Sequence, residues 1–185
     1  FVGVVRDITE RTKADRYRNA RLAVTQVLSQ AASVRECAIG VLQNICEVVG
    51  WDEGYFWTLD PEAEVLRCFE SWHSPVITTP EFEATSRQRT FTRGEGLPGR
   101  VWSSGRLAWI PDVMQDANFP RAPIAAKEGL HGAFGCPIVV EGLTRGTIEF
   151  FSRDIREPDP DLLEMMTTVC GQVGQFMDRK LAEDQ

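Results

Sequence analysis

GEGLPGRVWSSGRLAWIPDV, residues 94–113, is the stretch on which the reading of the whole chain turns. Its first six residues match G-x-G-x-x-G, the pattern of a dinucleotide-binding turn. Asp112 even lies near the distance at which such a turn has its ribose-binding acid. The context does not fit. A dinucleotide turn follows a strand and opens a long helix inside a βαβ unit, whereas Gly105 interrupts here after five residues. The same letters suit the glycine loop of a kinase, but the chain has three Lys (13, 127 and 180) and neither an H-R-D nor a D-F-G motif. What remains is a tight turn, with glycines supplying positive φ and Pro98 fixing the next step. RLAWIPDV (106–113) then reads as a strand ended by Pro111-Asp112.

On both sides of this turn the hydrophobic period is two. DEGYFWTL (52–59) and EVLRCFESWH (64–73) form a hairpin across Asp60-Pro61-Glu62, and FGCPIVV (134–140) and GTIEFFS (146–152) form a second across EGLTR. Residues 74–89 read as irregular, with a short strand beginning near Thr90. Pro120 to Glu128 reads as a short helix stopped by Gly129. Toward the ends the period becomes helical. Ala20, Val24, Val27 and Ala31 mark one stripe. Ser33 and Glu36 form a capping box for a second helix, which Gly50 ends. Asp159, Pro160 and Asp161 suit the start of a last helix. Its Leu162, Met166, Val169, Val173 and Phe176 repeat near 3.5 residues, as in a coiled coil. Residues 1–8, FVGVVRDI, read as a short strand, and the charged TERTKADRYRNAR that follows as a solvated helix or linker. Helices at both ends and strands between them describe an α+β fold with an antiparallel sheet.

Twenty basic residues stand against 27 acidic ones, a net charge of −7, and this excludes the basic face of a nucleic-acid binder. Five Cys (37, 46, 68, 136 and 170) show no CxxC spacing and read as reduced thiols. Two His offer little for metal or haem ligation. No run approaches 18 apolar residues, so no membrane span is expected. The start at Phe1, without a leader pattern, reads as the edge of an excised fragment.

With those elements in place, residues 94–113 resemble the central signature of GAF domains. LRCFESWHSP (66–75), NFPRAPIAAKEGLHGAFGCPI (118–138) and GTIEFFSRDIREPDPDLLEMM (146–166) extend the likeness over about residues 20–180. The likeness is to GAF modules beside PAS domains in bacterial sensor histidine kinases and cyclic-dinucleotide enzymes. VGVVRDITERTKAD resembles the last strand and exit linker of a PAS domain. The resemblance implies a PAS remnant and linker helix over 1–19, a GAF domain over 20–181 and a connector from 182. It implies an antiparallel sheet of five or six strands. The N- and C-terminal helices would lie on one face, and loops and short helices would roof a pocket on the other. It also implies a parallel homodimer through the terminal helices, with neighbouring PAS and output domains in the same chain. Subtype marks are missing: no adjacent Cys-His pair for a bilin, no NKFDE signature, and no local cysteine pattern of the GAF-fold methionine sulfoxide reductases.

Pocket candidates are the aromatic residues Trp72, Trp102, Trp109, Phe119 and Phe134, and the polar residues Arg100, Arg121 and His131. Aromatic walls with a few polar groups are the usual design of a small-ligand site. Every aromatic residue among them suits core packing equally. A guanidinium can fork onto a ligand carboxylate or phosphate, or onto Glu95, Asp112 or Asp116 of this chain. His131 has no second ligand at metal spacing. No catalytic or metal-binding residue and no cofactor is assigned. The expected function is a non-enzymatic, cytoplasmic sensory module of a parent that can be membrane-attached. It would bind a small molecule or relay a signal through paired helices. The alternatives are a ligand-free dimerisation spacer, a thiol-based redox or haem sensor, and a GAF-fold reductase.

Overall fold

The two hairpins form the middle of one sheet. In a computed structural model that describes residues 2–185, apart from the side chains of residues 2, 6 and 7, six strands pair antiparallel. They are β1 (Glu53–Asp60), β2 (Val65–His73), β3 (Thr90–Phe91), β4 (Ala108–Ile110), β5 (Gly132–Val140) and β6 (Leu143–Ser152), in spatial order β3-β2-β1-β6-β5-β4. The second hairpin is tighter than the expected EGLTR loop. Leu143 and Thr144 join the ladder opposite Val140 and Val139. Only Glu141 (φ 52°) and Gly142 (φ 77°) turn, both left-handed as a two-residue hairpin requires.

One face of the sheet carries α1 (Val2–Gln30), α2 (Val34–Ile45, continued by a π-helical turn Cys46–Gly50) and α6 (Pro160–Glu183). Ser33 caps α2 by accepting from Glu36 N–H at 3.2 Å. The Glu36 carboxylate reaches back to Ala32 N–H at 2.9 Å, one residue beyond the expected partner. Asp159 caps α6 by accepting from the N–H groups of Asp161 and Leu162. The periodic stripe of α6, Leu162 to Phe176, is buried within this chain and packs toward β5. Gly174 lets α6 come close, since a Cβ there would stand 2.4 Å from Val139 O. Cys136 of β5 and Cys170 of α6 are joined as a disulfide with Cα atoms 6.7 Å apart, not held as the free thiols expected. Their separation of 34 residues hides this pairing from sequence spacing.

α1 corrects the expected strand at the N-terminus: Val2 to Ile8 belong to one unbroken helix, and Phe1 lies outside the described residues. The alternation of Val2 and Val4 imitates a strand, but a strand needs a partner edge. A helix satisfies its backbone locally, and no Pro interrupts it before Gln30. α1 and α6 run parallel. Tyr17 meets Asp159, Thr25 meets Gln172, and Leu28 and Ser29 line a groove with Phe176 and Arg179. No described helix is long and apolar enough to cross a membrane.

The opposite face is roofed by α3 (Pro80–Gln88), α4 (Gly96–Ser104), α5 (Ala122–Glu128) and the loop 112–121. α3 falls in the stretch expected to be irregular. Pro80 suits its first turn, and Phe82 and Ser86, four apart, supply its buried side. α4 begins inside the glycine turn at Gly96 and runs to Ser104, so Gly105 (φ 65°) caps a nine-residue helix instead of forbidding one. The two faces have separate cores.

Candidate functional site

The roof-side core is laid out by strand alternation. Glu53, Tyr55 and Trp57 of β1, Thr147, Glu149 and Phe151 of β6, and Ala133 of β5 share the inward row, paired Tyr55 to Glu149 and Ala133 to Phe151. Two carboxylates therefore lie in an apolar row, an arrangement that demands partners. Glu149 finds them in Trp57, whose Nε1 donates to it at 2.9 Å, and in Arg121. The Arg121 guanidinium forks onto Glu149 at 2.8 and 2.9 Å and donates to Ser86 Oγ at 3.0 Å. Both charged side chains are about 1% exposed. The guanidinium carbon lies 4.9–5.6 Å from the ring centres of Trp57, Phe82, Phe91, Phe119 and Phe151. The Nε of Arg121 is buried without a hydrogen-bond partner among the described residues.

Glu53 is the second buried acid. Tyr55 Oη donates to it at 3.0 Å, and the Thr79 hydroxyl, just ahead of α3, donates to its other oxygen. Burial pushes its carboxyl up to about 7, against the opposing pull of those two hydrogen bonds. Glu128 anchors α5 to α3 by accepting from Glu81 and Phe82 N–H at 2.9 and 2.8 Å.

The glycine turn shows why no phosphate cradle forms there. Four of its backbone donors are already committed: Gly94 N–H to Gly99 O, Glu95 N–H to Thr92 O, Gly99 N–H to Glu95 O, and Gly96 N–H to Asn118 Oδ1. Gly99 could not be another residue without displacement, since a Cβ would stand 2.2 Å from Thr92 O.

The eight candidates fall on both sides of the sheet. Trp72, Trp109 and Phe134 face the helices: Trp109 stacks on Phe134 at 5.4 Å, and Trp51 meets both edge-on. They line no roof-side pocket. Trp102 and Phe119 belong to the roof-side core, with Arg93 over the Trp102 ring at 4.8 Å. Arg100 is bridged to Asp116 at 2.6 and 3.1 Å and to Asn118 O at 2.8 Å. The Arg100 bridge holds the Asp116 carboxyl below the usual carboxylate range. His131 is half-buried beside Asp112, Nδ1 to Oδ1 3.0 Å. No cluster of metal-ligating side chains exists among the described residues. Grooves of about 590 and 530 Å³ run along α1 and α6, not beneath the roof. Burial pushes the Cys37 and Cys68 thiols up to about 12 and Cys46 well above its ordinary value, so none is poised as a thiolate.

Sequence reasoning missed Glu53, Glu149, Ser86 and Trp57. The available signal was a Glu at an inward position of an otherwise apolar strand, T-I-E-F-F. Such a residue must be paired from elsewhere in the fold.

A family model described as GAF domain matches residues 31–178. No protein of curated function matches the chain. Among solved structures, the GAF domain of a phosphoenolpyruvate-protein phosphotransferase (ptsP) from Coxiella burnetii is similar with a TM-score of 0.80 at 16% identity, over 92% of this chain and 98% of that one. The A. Aeolicus nlh2 GAF domain in an inactive state gives 0.73 at 20%, over 91% and 99%. Free methionine-R-sulfoxide reductase from Neisseria meningitidis, in complex with its substrate, gives 0.72 at 15%, over 88% of each chain. At these identities the likeness is one of fold.

Proposed function

The chain belongs to the GAF domain family, and on that premise we propose that it is a regulatory, non-enzymatic relay of a signal-transduction protein, working as a parallel homodimer. One observation carries this reading: α1 and α6 run side by side in the same direction, clasped where α6 begins. Lys13 Nζ lies 2.9 Å from Asp159 Oδ1, and the Tyr17 hydroxyl donates to Oδ2 of the same capping carboxylate. A shift of α1 therefore bears directly on the N-terminus of α6. Pairing of two copies is supported by apolar residues that α1 leaves exposed, Val4 at 63% and Ile8 at 60%, one turn apart, with Leu22 further along. The PAS-like reading of residues 1–19, which would make α1 the arriving connector, and a sensor histidine kinase as the parent belong to the same proposal. Light scattering at tens of micromolar should give a dimer that Val4→Glu with Ile8→Glu converts to a folded monomer. A wild type that is strictly monomeric ends the proposal.

A second reading, thiol-based redox sensing, is favoured by the bond between Cys136 and Cys170, because it ties the sheet to α6. Closing a loop of this length stabilises a fold by about 4 kcal/mol. Reduction with dithiothreitol should lower the melting temperature and raise hydrogen exchange along α6, and Cys136→Ser should be insensitive to it. Unchanged melting on reduction removes this reading.

A further inference from the structure

Glu149 and the rings around it enclose a planar cation. Trp57, Glu149 and Phe151 are fixed in the two central strands, and Ser86, Phe82 and Phe91 close the sides. The occupant comes from another layer. Arg121 lies in the roof, between exposed Pro120 and the start of α5. The roof loop is also held by buried Val113 and Phe119, by Arg100 on Asp116, and by Asn118 on Gly94 O and Gly96 N–H. A buried ion pair contributes little net stability compared with apolar residues of the same volume. A caged guanidinium is thus a poor device for firmness and a good one for recognition, since rings around one carboxylate are how proteins select organic cations.

We infer that this chamber is a guanidinium-recognition site occupied by the chain's own Arg121, and that it takes a small molecule bearing a guanidinium group in exchange. Charge fixes the class of ligand. Expelling Arg121 for an anionic or neutral molecule strands the Glu149 carboxylate in an apolar core, while exchange for a cation leaves it paired. The fork of two bonds to one carboxylate, with a third to a hydroxyl, suits a planar guanidinium better than an ammonium. Release of Arg121 would also free the residue that precedes α5, so occupancy would be read out as a change in the roof. This inference stands apart from the relay: its readouts concern the roof alone, and a protein that fails to pair could still exchange Arg121.

The probe is methylguanidinium, compared with methylammonium and sodium at equal ionic strength. In the wild-type protein, tens of millimolar methylguanidinium should give a saturable change in tryptophan fluorescence and faster hydrogen exchange over residues 116–128. Arg121→Ala should be stabilised by methylguanidinium at lower concentration, or refolded by it if the variant is unfolded alone. Adding Glu149→Gln to that variant should weaken the effect about tenfold or more. Rescue of Arg121→Ala with no exchange in the wild type would mean a purely internal ion pair and overturns the inference. Equal responses to methylguanidinium and methylammonium, or no rescue by either, also overturn it.

Discussion

Glu53 has no exposed surface, and its two hydrogen-bond donors, Tyr55 and Thr79, do not offset the cost of burying its charge. Its carboxyl therefore holds a proton up to about pH 7, above the 4.5 of an exposed glutamate. Between those values the folded chain binds the proton and the unfolded chain does not, so stability falls as pH rises from about 4.5 to about 7. The loss across that window should be roughly 3 kcal/mol. Urea unfolding at about pH 5 and about pH 8 measures it, and Glu53→Gln should remove Glu53's share of the slope. Arg121 and Glu149 obey the complementary rule. Arg121→Met should cost about 3–5 kcal/mol by leaving Glu149 buried and unpaired, and Glu149→Gln in the same chain should recover much of that loss, measured by urea midpoints. At this scale residue types were readable in the sequence but partners were not. Arg100 bridges Asp116, one of three acids open to it in sequence, whereas Arg121 takes Glu149, 28 residues away on a strand that only the folded sheet brings near.

Single elements were readable wherever a local signal fixes a boundary: Ser33 and Asp159 as caps, Gly129 as a stop. α3 was not, because nine residues with two buried side chains give too little periodicity among Pro, Thr and Ser. The facing of the aromatic residues was lost for another reason. A bulge at Phe56 and Trp57 shifts the register of β2, and β4 has only three residues, so alternation could not be followed to Trp72 or Trp109. The start of α6 makes an element-level prediction. Asp159 both caps the helix and receives Tyr17 and Lys13. Asp159→Ala should cost about 1–2 kcal/mol for the cap alone. A double-mutant cycle with Tyr17→Phe should show further coupling of about 1 kcal/mol, read from urea midpoints. Additive single effects would mean that α1 and α6 touch there without holding one another.

The whole molecule is two cores back to back across one sheet, and the residues that could take a ligand lie on the far side from the helices that could carry a signal. The inward and outward rows of β1 and β6 join them. Glu149 and Phe151 face the roof, while Ile148 and Phe150, alternating with them, face the helical layer. A roof that changes occupant at Glu149 therefore works on the same strand that packs that layer. The parallel course of α1 and α6 has a consequence for lineage as well as for mechanics. Twenty-nine residues of α1 span about 43 Å, and the exit of α6 points onward in the same sense. A gene that gained or lost this segment would lengthen or shorten its product by a fixed stride without reversing the chain's heading. Such a unit can be spliced between unrelated neighbours, or repeated in series, and leave each of them facing the way it did before.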